Sequence, residues 1–362
     1  MKNKLLSRFR NKKIIVTGHT GFKGSWLAFW LTLLGAKVYG ISLKPKSSNL
    51  FFSILGLNKK IYRSIVLDIR KFLILQKTIY KIQPDFIFHL AAQAIVKDSY
   101  TFPILTWETN LLGTINILES CKIINKKCIL VIITSDKCYK NLEKKDGYKE
   151  TDELGGKDPY SASKAAAELA IHSYYSSYFS NNKKSYIRVA SARAGNVIGG
   201  GDWSEGRIIP DCIKAWIKQK KVFIRNKNSV RPWQHVFDAL YGYLLLSLSL
   251  DKDKKISGTS FNFGPKLNKK FTVKKLTYEL SKLWKLNIIP FKFINKNKFY
   301  ETKVLQLDTS KARKMLKWKN YLSIKESIKI TSEWYYHCFQ IKDNIYSFSL
   351  KQIKNYQKLL KN

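Results

Sequence analysis

Paired cysteines and metal-ligand spacings are both missing from this chain of 362 residues. Its five cysteines form no CxxC pair and its five histidines are scattered, so no zinc-binding pattern is present. An odd number of cysteines without a disulfide framework is typical of reduced thiols in a reducing compartment. We therefore expect no disulfide, no metal site and a cytoplasmic location.

Long apolar runs are missing as well. The N-terminal stretch MKNKLLSRFRNKK is basic, but no apolar segment of signal-peptide length follows it. The longest apolar segment, at 239–250, is too short to cross a bilayer. Hydrophobic residues still make up 45% of the chain and aromatic residues 14%, which allows a large core and excludes disorder. The length suits a soluble protein of two lobes, or one large α/β domain with a cap.

Acidic residues are scarce, since 25 Asp and Glu stand against 66 Lys and Arg, for a formal net charge of +41. Such an excess raises the possibility of nucleic-acid binding. However, arginine, which recognises guanine edges and binds phosphates bidentately, accounts for only 10 of the 66 cations. The lysines are spread along the whole chain, and no zinc finger or basic-region heptad is present. We expect no specific nucleic-acid partner, although the positive field favours anionic small molecules.

The segment 12–43, KKIIVTGHTGFKGSWLAFWLTLLGAKVYGISL, predicts a strand at 14–17, a glycine turn, an apolar helix from about Lys23 and a second strand at 37–42. Gly18, Gly21 and Gly24 have GxxGxxG spacing between the strand and the helix. In this context the first glycine permits a tight turn, the second admits a pyrophosphate and the third lets the helix pack closely. The helix N-terminus would offer free N–H groups to the anion. A glycine turn without a ligand is the alternative.

The end of the second strand departs from the usual dinucleotide pattern. An acidic residue about 20 positions further on normally holds the hydroxyls of the adenosine ribose. Lys44 stands near that place, and an ammonium can pair with a 2′-phosphate but cannot accept a hydrogen bond. The residues alone therefore leave NAD and NADP open.

Alternating strands and helices continue to about residue 195 and predict an α/β fold, a Rossmann-type doubly wound parallel sheet. Strands are predicted at 64–69, at 85–93 and at 128–135, with a helix around 103–125. Ligands bind at the carboxyl ends of such strands. The predicted cofactor-binding residues are Gly18, Thr20, Gly21, Phe22, Lys23, Gly24, Asp68, Ile69, Leu90, Ala91, Ala92, Asn110, Thr134, Tyr160 and Lys164.

The segment DPYSASK, at 158–164, places Tyr160 and Lys164 one turn apart on one face of a predicted helix. The ordinary pKa of a phenol is about 10, and a neighbouring ammonium and a positive nicotinamide both favour the phenolate. Such a phenolate can take a hydroxyl proton while a hydride passes to the cofactor. A solvated helix face is the alternative. The glycine turn and the strand end bearing Thr134 and Ser135 favour catalysis.

Six motifs carry a resemblance to a known family: VTGHTGFKGSWLAFWL, FHLAAQ, TSDKCY, DPYSASK, RAGNVIGGGDW and RPWQHV. From about residue 10 to beyond 330, the chain resembles the extended short-chain dehydrogenases/reductases that act on nucleotide sugars. Within that family it is most similar to the CDP-glucose 4,6-dehydratase branch. The resemblance implies bound NAD, CDP-glucose as the small-molecule substrate, a role in deoxysugar and lipopolysaccharide precursor synthesis, and a homodimer or homotetramer.

The resemblance also implies roles for the strand end at 135–137, where the related dTDP-glucose dehydratases carry Thr-Asp-Glu. Oxidation at C4 of the hexose acidifies the C5 proton, which a base must remove while an acid protonates the leaving C6 hydroxyl. Asp136 is implied as the acid and Lys137 as the base, with Ser135, Tyr160 and Lys164 as the other catalytic residues. Both members of the pair then need environments that shift their pKa values toward neutrality. A surface ion pair is the alternative reading of Asp136 and Lys137.

After residue 195 the regular alternation stops, and the glycines at 199–201 look like a flexible connection into a cap. Arg207 and Arg231 each precede a predicted helix, and arginine suits a substrate diphosphate, although a structural salt bridge is the alternative for each. We predict Asn196, Arg207, Arg231 and His235 as substrate-binding residues, with buried packing as the alternative for His235. The predicted domains are a dinucleotide-binding domain at 1–195, a mainly substrate-binding lobe at 196–340 with segments returning to the first domain, and a C-terminal tail at 341–362.

Other functions stay open at this level. A non-catalytic NAD(P)-binding regulator would need a broken Tyr–Lys pair, and here the pair is intact. A nucleotide-sugar 4-epimerase does not need Asp136 and Lys137 as acid and base. A dehydratase for another nucleotide is not excluded either, because nothing physical in the sequence recognises cytosine.

Overall fold

The computed structural model describes residues 6–45, 50–144, 146–180, 185–224, 227–265, 271–282, 284, 290–293, 305–342 and 344–360. The strands within them are β1 Lys13–Thr17, β2 Lys37–Ser42, β3 Arg63–Val66, β4 Phe86–His89, β5 Cys128–Ile133, β6 Ile187–Ala194, β7 Val197–Ile198, β8 Val222–Ile224, β9 Gln234–His235, β10 Thr259–Phe263 and β11 Phe291–Phe293. Seven of them form one parallel sheet in the order β10-β6-β5-β4-β1-β2-β3. The predicted doubly wound α/β fold is confirmed.

The α-helices between these strands begin with one that follows the glycine turn. They are α1 Phe22–Leu33, α2 Phe51–Ile54, α3 Phe72–Ile82, α4 Val96–Thr101, α5 Pro103–Trp107, α6 Gly113–Cys121, α7 Pro159–Tyr174, α8 Ile208–Ile217, α9 Val236–Lys252, α10 Val273–Ser281, α11 Ser310–Leu316, α12 Ile324–Tyr336 and α13 Ile345–Leu359. Three π-helical segments continue helices, at Glu108–Leu112, Tyr175–Phe179 and His337–Ile341. Short 3-10 turns lie at Ser7–Phe9, Leu57–Lys59, Asp136–Cys138 and Lys254–Ile256.

The sheet is buried on both faces because its strands are apolar on both sides. In β1, Ile14 and Val16 point into one hydrophobic cluster and Ile15 into another on the opposite face. Period-2 alternation therefore gives way to near-continuous apolar runs such as CILVII in β5, where all six residues are buried. Covering helices on both faces leave the carboxyl ends of the strands as the open edge.

Four predicted elements end differently in the structure. The strand expected at 85–93 is β4 and ends at His89, and the strand expected at 128–135 is β5 and ends at Ile133. The strand expected at 64–69 stops at Val66, so Asp68 and Ile69 lie in the loop that follows it. The helix expected at 103–125 is α5, a π-helical turn and α6, and it ends at Cys121. A π-helical turn adds a residue to the helical repeat, which sequence periodicity does not reveal.

The chain beyond residue 195 is closely packed against the first part. β7 pairs with β9, β8 pairs with β11, and β10 returns to the edge of the main sheet. The glycine run predicted to be a flexible connection is buried: a Cβ on Gly200 would lie 2.1 Å from the ring of Trp334. The division at residue 195 stays a prediction.

The segment predicted as a C-terminal tail forms helix α13, which packs onto the core. Ile353 and Tyr356 are buried, and the hydroxyl of Tyr356 donates to Asp238 Oδ1 at 2.7 Å. The packing of this helix was not evident from its weak amphipathic pattern, because part of its contact with the core is a hydrogen bond from Tyr356 to Asp238 on α9 and not an apolar contact. Within the described ranges, no helix is long and apolar enough to cross a membrane.

Candidate functional site

The glycine turn opens the site at the end of β1. Gly18 has a φ of +71°, and a Cβ there would lie 2.8 Å from the backbone nitrogen of Ala91, which follows β4. A Cβ on Gly24 would lie 2.1 Å from the carbonyl oxygen of Gly18, so α1 packs directly on the turn. No side chain among the described residues caps α1 at Gly21. The turn therefore presents an uncapped helix N-terminus, as a pyrophosphate site requires.

The far side of this turn is held by the end of β4. Thr17 Oγ1 accepts hydrogen bonds from the backbone N–H groups of Leu90 and Ala91, both at 3.1 Å, and lies 2.7 Å from Nδ1 of His89. Burial lowers the pKa of His89 to about 3, so the imidazole is neutral. Ala91 and Ala92 are half-buried, as expected for small residues beside a cofactor. The two strand ends form one rigid floor.

Asn110 lies in the π-helical turn and links this floor to helix α7. Its Oδ1 accepts from the backbone N–H of Gln93 at 2.9 Å, and its Nδ2 donates to Ser163 Oγ at 3.0 Å. Ser163 precedes Lys164 on α7. Asn110 is 1% exposed, so it acts through these neighbours.

The predicted adenosine end is less open than the sequence suggested. The Asp68 carboxylate accepts from Nε and Nη2 of Arg70, at 3.0 and 2.7 Å for Oδ2, and Arg70 lowers its pKa. Ile69 packs against Gly113. Thr20 Oγ1 lies 2.7 Å from Ser42 Oγ, beside the segment that carries Lys44. Recognition of the adenine by Asp68 stays a prediction.

The strand end of β5 forms the centre of the site. Ser135 Oγ donates to Asp136 Oδ1 at 3.0 Å and accepts from the N–H of Lys137 at 3.2 Å, which caps a short 3-10 turn. Lys137 Nζ lies 3.8 Å from Asp136 Oδ1. Asp136 is 2% exposed and its Oδ2 has no hydrogen-bond partner among the described residues, whereas the Lys137 side chain is 31% exposed. A buried, half-satisfied carboxyl is not a surface ion pair.

Helix α7 brings Tyr160 and Lys164 to the same edge, as predicted. Asp158 caps the helix and Pro159 occupies its first turn. Burial raises the pKa of Tyr160 to about 12, opposed by a hydrogen bond with Ser135, and burial lowers the pKa of Lys164 to about 8. The sequence predicted a lowered pKa for Tyr160, but the pKa is raised when only the protein's own groups act on it. The reason is that desolvation of the phenolate outweighs the contacts that stabilise it.

Three cations converge at this edge. Burial lowers the pKa of Lys23 to about 7, helped by repulsion from Arg207 and Lys164. Lys23 Nζ donates to the hydroxyl of Tyr243 on α9 at 3.5 Å. Arg207 Nη1 donates to Asp202 Oδ2 at 2.8 Å. Lys23 and Arg207, which are far apart in the sequence, thus lie together in one cationic surface beside Tyr160.

The other predicted substrate-binding residues, Asn196, Arg231 and His235, lie in three different environments. Arg231 lines a cavity of about 630 Å³ with Trp233, Phe271 and Arg313. The Asn196 carbonyl accepts from Gln234 N at 3.0 Å. His235 is 1% exposed and its Nδ1 caps α9 by accepting from Phe237 N, so its ring serves the fold. Direct substrate binding by these residues stays a prediction.

Sequence reasoning missed a buried ion pair behind the β5 strand end. Glu168 on α7 and Arg193 on β6 are 2.7 Å apart, with side chains 2% and 4% exposed. A signal was present, since residues 160, 164 and 168 are spaced for one helix face. The second partner, Arg193, could not be assigned because it lies on another strand.

Comparison with known proteins agrees with this arrangement. The family model described as GDP-mannose 4,6 dehydratase matches residues 15–331. The chain belongs to this dehydratase family. Within it, the CDP-glucose 4,6-dehydratase of Salmonella typhimurium is 40% identical over 329 residues, which are 90% of this chain and 91% of that protein. The resemblance to nucleotide-sugar dehydratases is confirmed.

Solved structures with the fold of the dehydratase family include epimerases and dehydratases. An epimerase from Methanothermobacter thermautotrophicus matches with a TM-score of 0.80 and 21% identity, covering 93% of this chain and 96% of that one. A dTDP-glucose 4,6-dehydratase from Bacillus anthracis, in complex with NAD, matches with a TM-score of 0.74 and 21% identity, covering 90% and 97%. Both likenesses establish the fold.

Proposed function

We propose that this chain is a 4,6-dehydratase that converts CDP-glucose to CDP-4-keto-6-deoxyglucose with NAD as its bound cofactor. The observation that carries the proposal is that Tyr160 lies at the same strand end as the pair formed by the buried Asp136 and the partly exposed Lys137. A 4-epimerase needs the tyrosine alone. The CDP-glucose 4,6-dehydratase of Salmonella typhimurium, at 40% identity, supports the choice of the nucleotide.

The residues fit a dinucleotide. Gly18 and Gly24 leave no room for a Cβ. Helix α1 begins beside them, and no side chain among the described residues caps its N-terminus. Gly21, Phe22 and Lys23 would hold the pyrophosphate, while Thr134, Tyr160 and Lys164 would face the nicotinamide. NAD supplies a hydride acceptor at C4 and returns the same hydride at C6, which leaves no net redox change. Lys44 and the engaged Asp68 make NADP the alternative.

Tyr160 takes the proton of the C4 hydroxyl in this proposal. Its pKa of about 12 is too high for that role until further positive charge enters the site. The hydrogen bond with Ser135 and the positive charge of Arg207 both lower the pKa of Tyr160 and so favour the phenolate. The hydroxyl proton passes from the sugar to Tyr160. After the elimination it replaces the proton that Asp136 has given up, which returns both groups to their starting states.

Lys137 and Asp136 carry out the elimination. Once C4 is a ketone, Lys137 removes the C5 proton and Asp136 gives a proton to the C6 hydroxyl, which leaves as water. When the hydride returns to C6, Lys137 gives its proton back to C5, which completes the 4-keto-6-deoxy sugar. The partly exposed Lys137 can reach a sugar above the turn, and the unpartnered Oδ2 of Asp136 is available for a proton. One base and one acid thus suffice to break the C5–H and C6–O bonds.

The cationic surface of Lys23 and Arg207 supports an anionic substrate, with Arg231 as a further diphosphate ligand. Exposed apolar side chains on α5 and α7, such as Ile104, Leu105 and Leu169, support a homo-oligomer. We also propose a cytoplasmic site of action in the synthesis of deoxysugar precursors for lipopolysaccharide. Light scattering of the purified protein tests the oligomer.

The decisive experiment is incubation of the purified protein with CDP-glucose, dTDP-glucose, UDP-glucose and GDP-mannose. We expect a 4-keto-6-deoxy product, identified by mass and by its absorbance in alkali, to form fastest from CDP-glucose. A 4-epimerised sugar without loss of water would refute the dehydratase. Faster turnover of another nucleotide would move the assignment to that nucleotide.

A further inference from the structure

The turn that carries Asp136 and Lys137 is held at both ends by one buried ion pair. Glu168 and Arg193 bond at 2.7 Å behind the turn, on α7 and β6. Thr134 precedes the turn and Tyr139 follows it, and each bonds to one member of the pair. We call these four residues the Glu168–Arg193 clamp.

The first end of the turn is fixed through Glu168. Thr134 Oγ1 donates to Oε1 of Glu168, while the N–H of Thr134 donates to the Ala192 carbonyl at 3.0 Å. Oε2 of Glu168 accepts from Arg193 and also from Ser191 at 2.8 Å and Ser260 at 3.1 Å. Both carboxylate oxygens are therefore engaged, and the carboxylate has little freedom to rotate.

The second end is fixed through Arg193. Its Nη1 donates to the hydroxyl oxygen of Tyr139 at 2.8 Å, and its Cζ lies 4.9 Å from the centre of the Tyr139 ring. The Tyr139 hydroxyl in turn donates to Asn262 Oδ1 at 2.7 Å. The guanidinium thus connects β6, α7 and the exit of the turn.

A buried ion pair contributes little net free energy to the stability of a fold. Desolvation of two buried charges can exceed their attraction, and apolar residues of similar volume often serve stability as well or better. What apolar residues cannot do is fix the directions of Thr134 and Tyr139 on either side of a three-residue turn. The acid and the base need such precision, because a displacement of about 1 Å can lower a rate by about 10²-fold.

We propose that the Glu168–Arg193 pair is a positioning device for the acid Asp136 and the base Lys137. The inference rests on the proposed function, since it assigns these residues to the elimination. The contact of Arg193 with Tyr139 concerns the elimination more than the oxidation at C4, because Tyr139 follows the turn that carries Asp136 and Lys137, whereas Tyr160 lies on α7. Glu168 and Arg193 touch neither substrate nor cofactor.

The test uses Tyr139→Phe, which removes one hydroxyl of the clamp and keeps the ring. Tyr148→Phe is its matched control: the Tyr148 ring stacks on Tyr139 at 5.1 Å, and its hydroxyl donates to Asn141 outside the clamp. With CDP-glucose we expect Tyr139→Phe to lower kcat about 10- to 100-fold at unchanged KM, and C5 exchange with deuterated solvent to fall equally. The single-turnover rate of C4 oxidation should stay within about twofold.

Equal losses in both variants, or equal slowing of oxidation and elimination by Tyr139→Phe, would overturn the proposal. A second readout does not need activity. Backbone amide exchange in the peptide covering 134–139 should accelerate by about tenfold in Tyr139→Phe and not in Tyr148→Phe. If wild-type protein leaves CDP-glucose unchanged, the proposed function fails, and unchanged exchange in Tyr139→Phe would separately refute the clamp.

Discussion

The two sides of the turn at 135–138 differ in how completely their polar groups are satisfied. On the open side, Asp136 is buried and one of its oxygens has no partner in the part of the chain that the structure describes, and burial lowers the pKa values of Lys23 and Lys164. On the closed side, Glu168 accepts four hydrogen bonds and balances the charge of Arg193. The open side keeps hydrogen-bonding capacity and positive charge for an anionic ligand, whereas the closed side uses its capacity to hold the chain.

This difference predicts that changes on the open side lower activity and leave stability intact, while changes on the closed side lower stability. Buried polar groups without hydrogen-bond partners destabilise the fold, so their removal should not lower the free energy of unfolding. Removal of one partner from the buried Glu168–Arg193 pair leaves an uncompensated charge, although Arg193 Nε itself has no hydrogen-bond partner among the described residues. Variants on both sides of one short turn can therefore separate function from folding.

The largest effect is expected for Tyr160→Phe. It removes the group that takes the C4 hydroxyl proton, and general acid–base assistance is typically worth about 10²–10⁴-fold in rate. We expect turnover of CDP-glucose to fall by at least about 10²-fold in a steady-state assay, with an unchanged melting temperature. Tyr174→Phe, on the same helix with its hydroxyl on Glu119, is the control and should stay active. Substantial activity of Tyr160→Phe would remove Tyr160 from the mechanism.

Lys137→Ala should stop the reaction between oxidation and elimination. Reduced nicotinamide should accumulate on mixing with CDP-glucose, C5 exchange with deuterated solvent should be lost, and the product rate should fall by about 10²–10⁴-fold. Asp136→Asn keeps the base, so C5 exchange should persist while loss of water slows. Product formation by Lys137→Ala within about tenfold of wild type would make the strand end a structural turn, with the base elsewhere.

Stability should show the opposite ranking. Glu168→Gln should lower the free energy of unfolding by about 3–5 kcal/mol, because it leaves Arg193 buried without its counter-ion. Asp136→Asn should stay within about 1 kcal/mol of wild type, since one carboxylate oxygen already has no partner. Urea unfolding at one pH measures both. A larger loss for Asp136→Asn than for Glu168→Gln would reverse the assignment of the two sides.

The sequence predicted the open side far better than the closed side. Residues such as Gly18, Asp136 and Tyr160 lie in short motifs whose spacing is set by local chemistry, and the parallel sheet then brings them to one edge. The clamp depends on contacts such as Glu168 with Arg193 and Arg193 with Tyr139, which join separate elements and leave no local pattern. His235 shows a further limit, because its motif position predicted binding, whereas the observed contact of its ring is a cap of helix α9, which no local pattern indicated.

Arg231→Ala should raise KM for CDP-glucose more than it lowers kcat. A charge-assisted hydrogen bond is typically worth about 1.5–3 kcal/mol, which corresponds to about 10- to 150-fold in binding. Steady-state kinetics measure the two constants. Arg8→Ala is the control, because Arg8 pairs with Asp251 on the surface and should leave both constants unchanged. A change in KM within about twofold would place Arg231 in a structural role.

The last comparison concerns pH and the buried histidines. Burial lowers the pKa of His19 to about 4 and those of His89 and His235 to about 3, from an ordinary value of 6.5. At a pH between the lowered pKa of each folded-state histidine and 6.5, the unfolded chain binds more protons than the folded one. Stability should therefore fall as the pH drops below 6.5, by about 1.4 kcal/mol per pH unit for each histidine.

His235→Asn should flatten this dependence while preserving the fold. Asparagine keeps an acceptor for the N–H of Phe237 at the start of α9 and removes the titrating ring. Burial raises the pKa of Asp238 to about 6, so this carboxyl binds a proton in the folded protein and opposes the histidines in the same pH range. We therefore expect His235→Asn to lower the slope of unfolding free energy against pH by about 1.4 kcal/mol per pH unit between pH 6 and 4.5. Urea unfolding across this range measures it, and His172→Asn, on the exposed face of α7, should leave the slope unchanged. An unaltered slope in His235→Asn would mean that His235 is protonated in the folded protein, and the ring would then be a candidate for binding the anionic substrate after all.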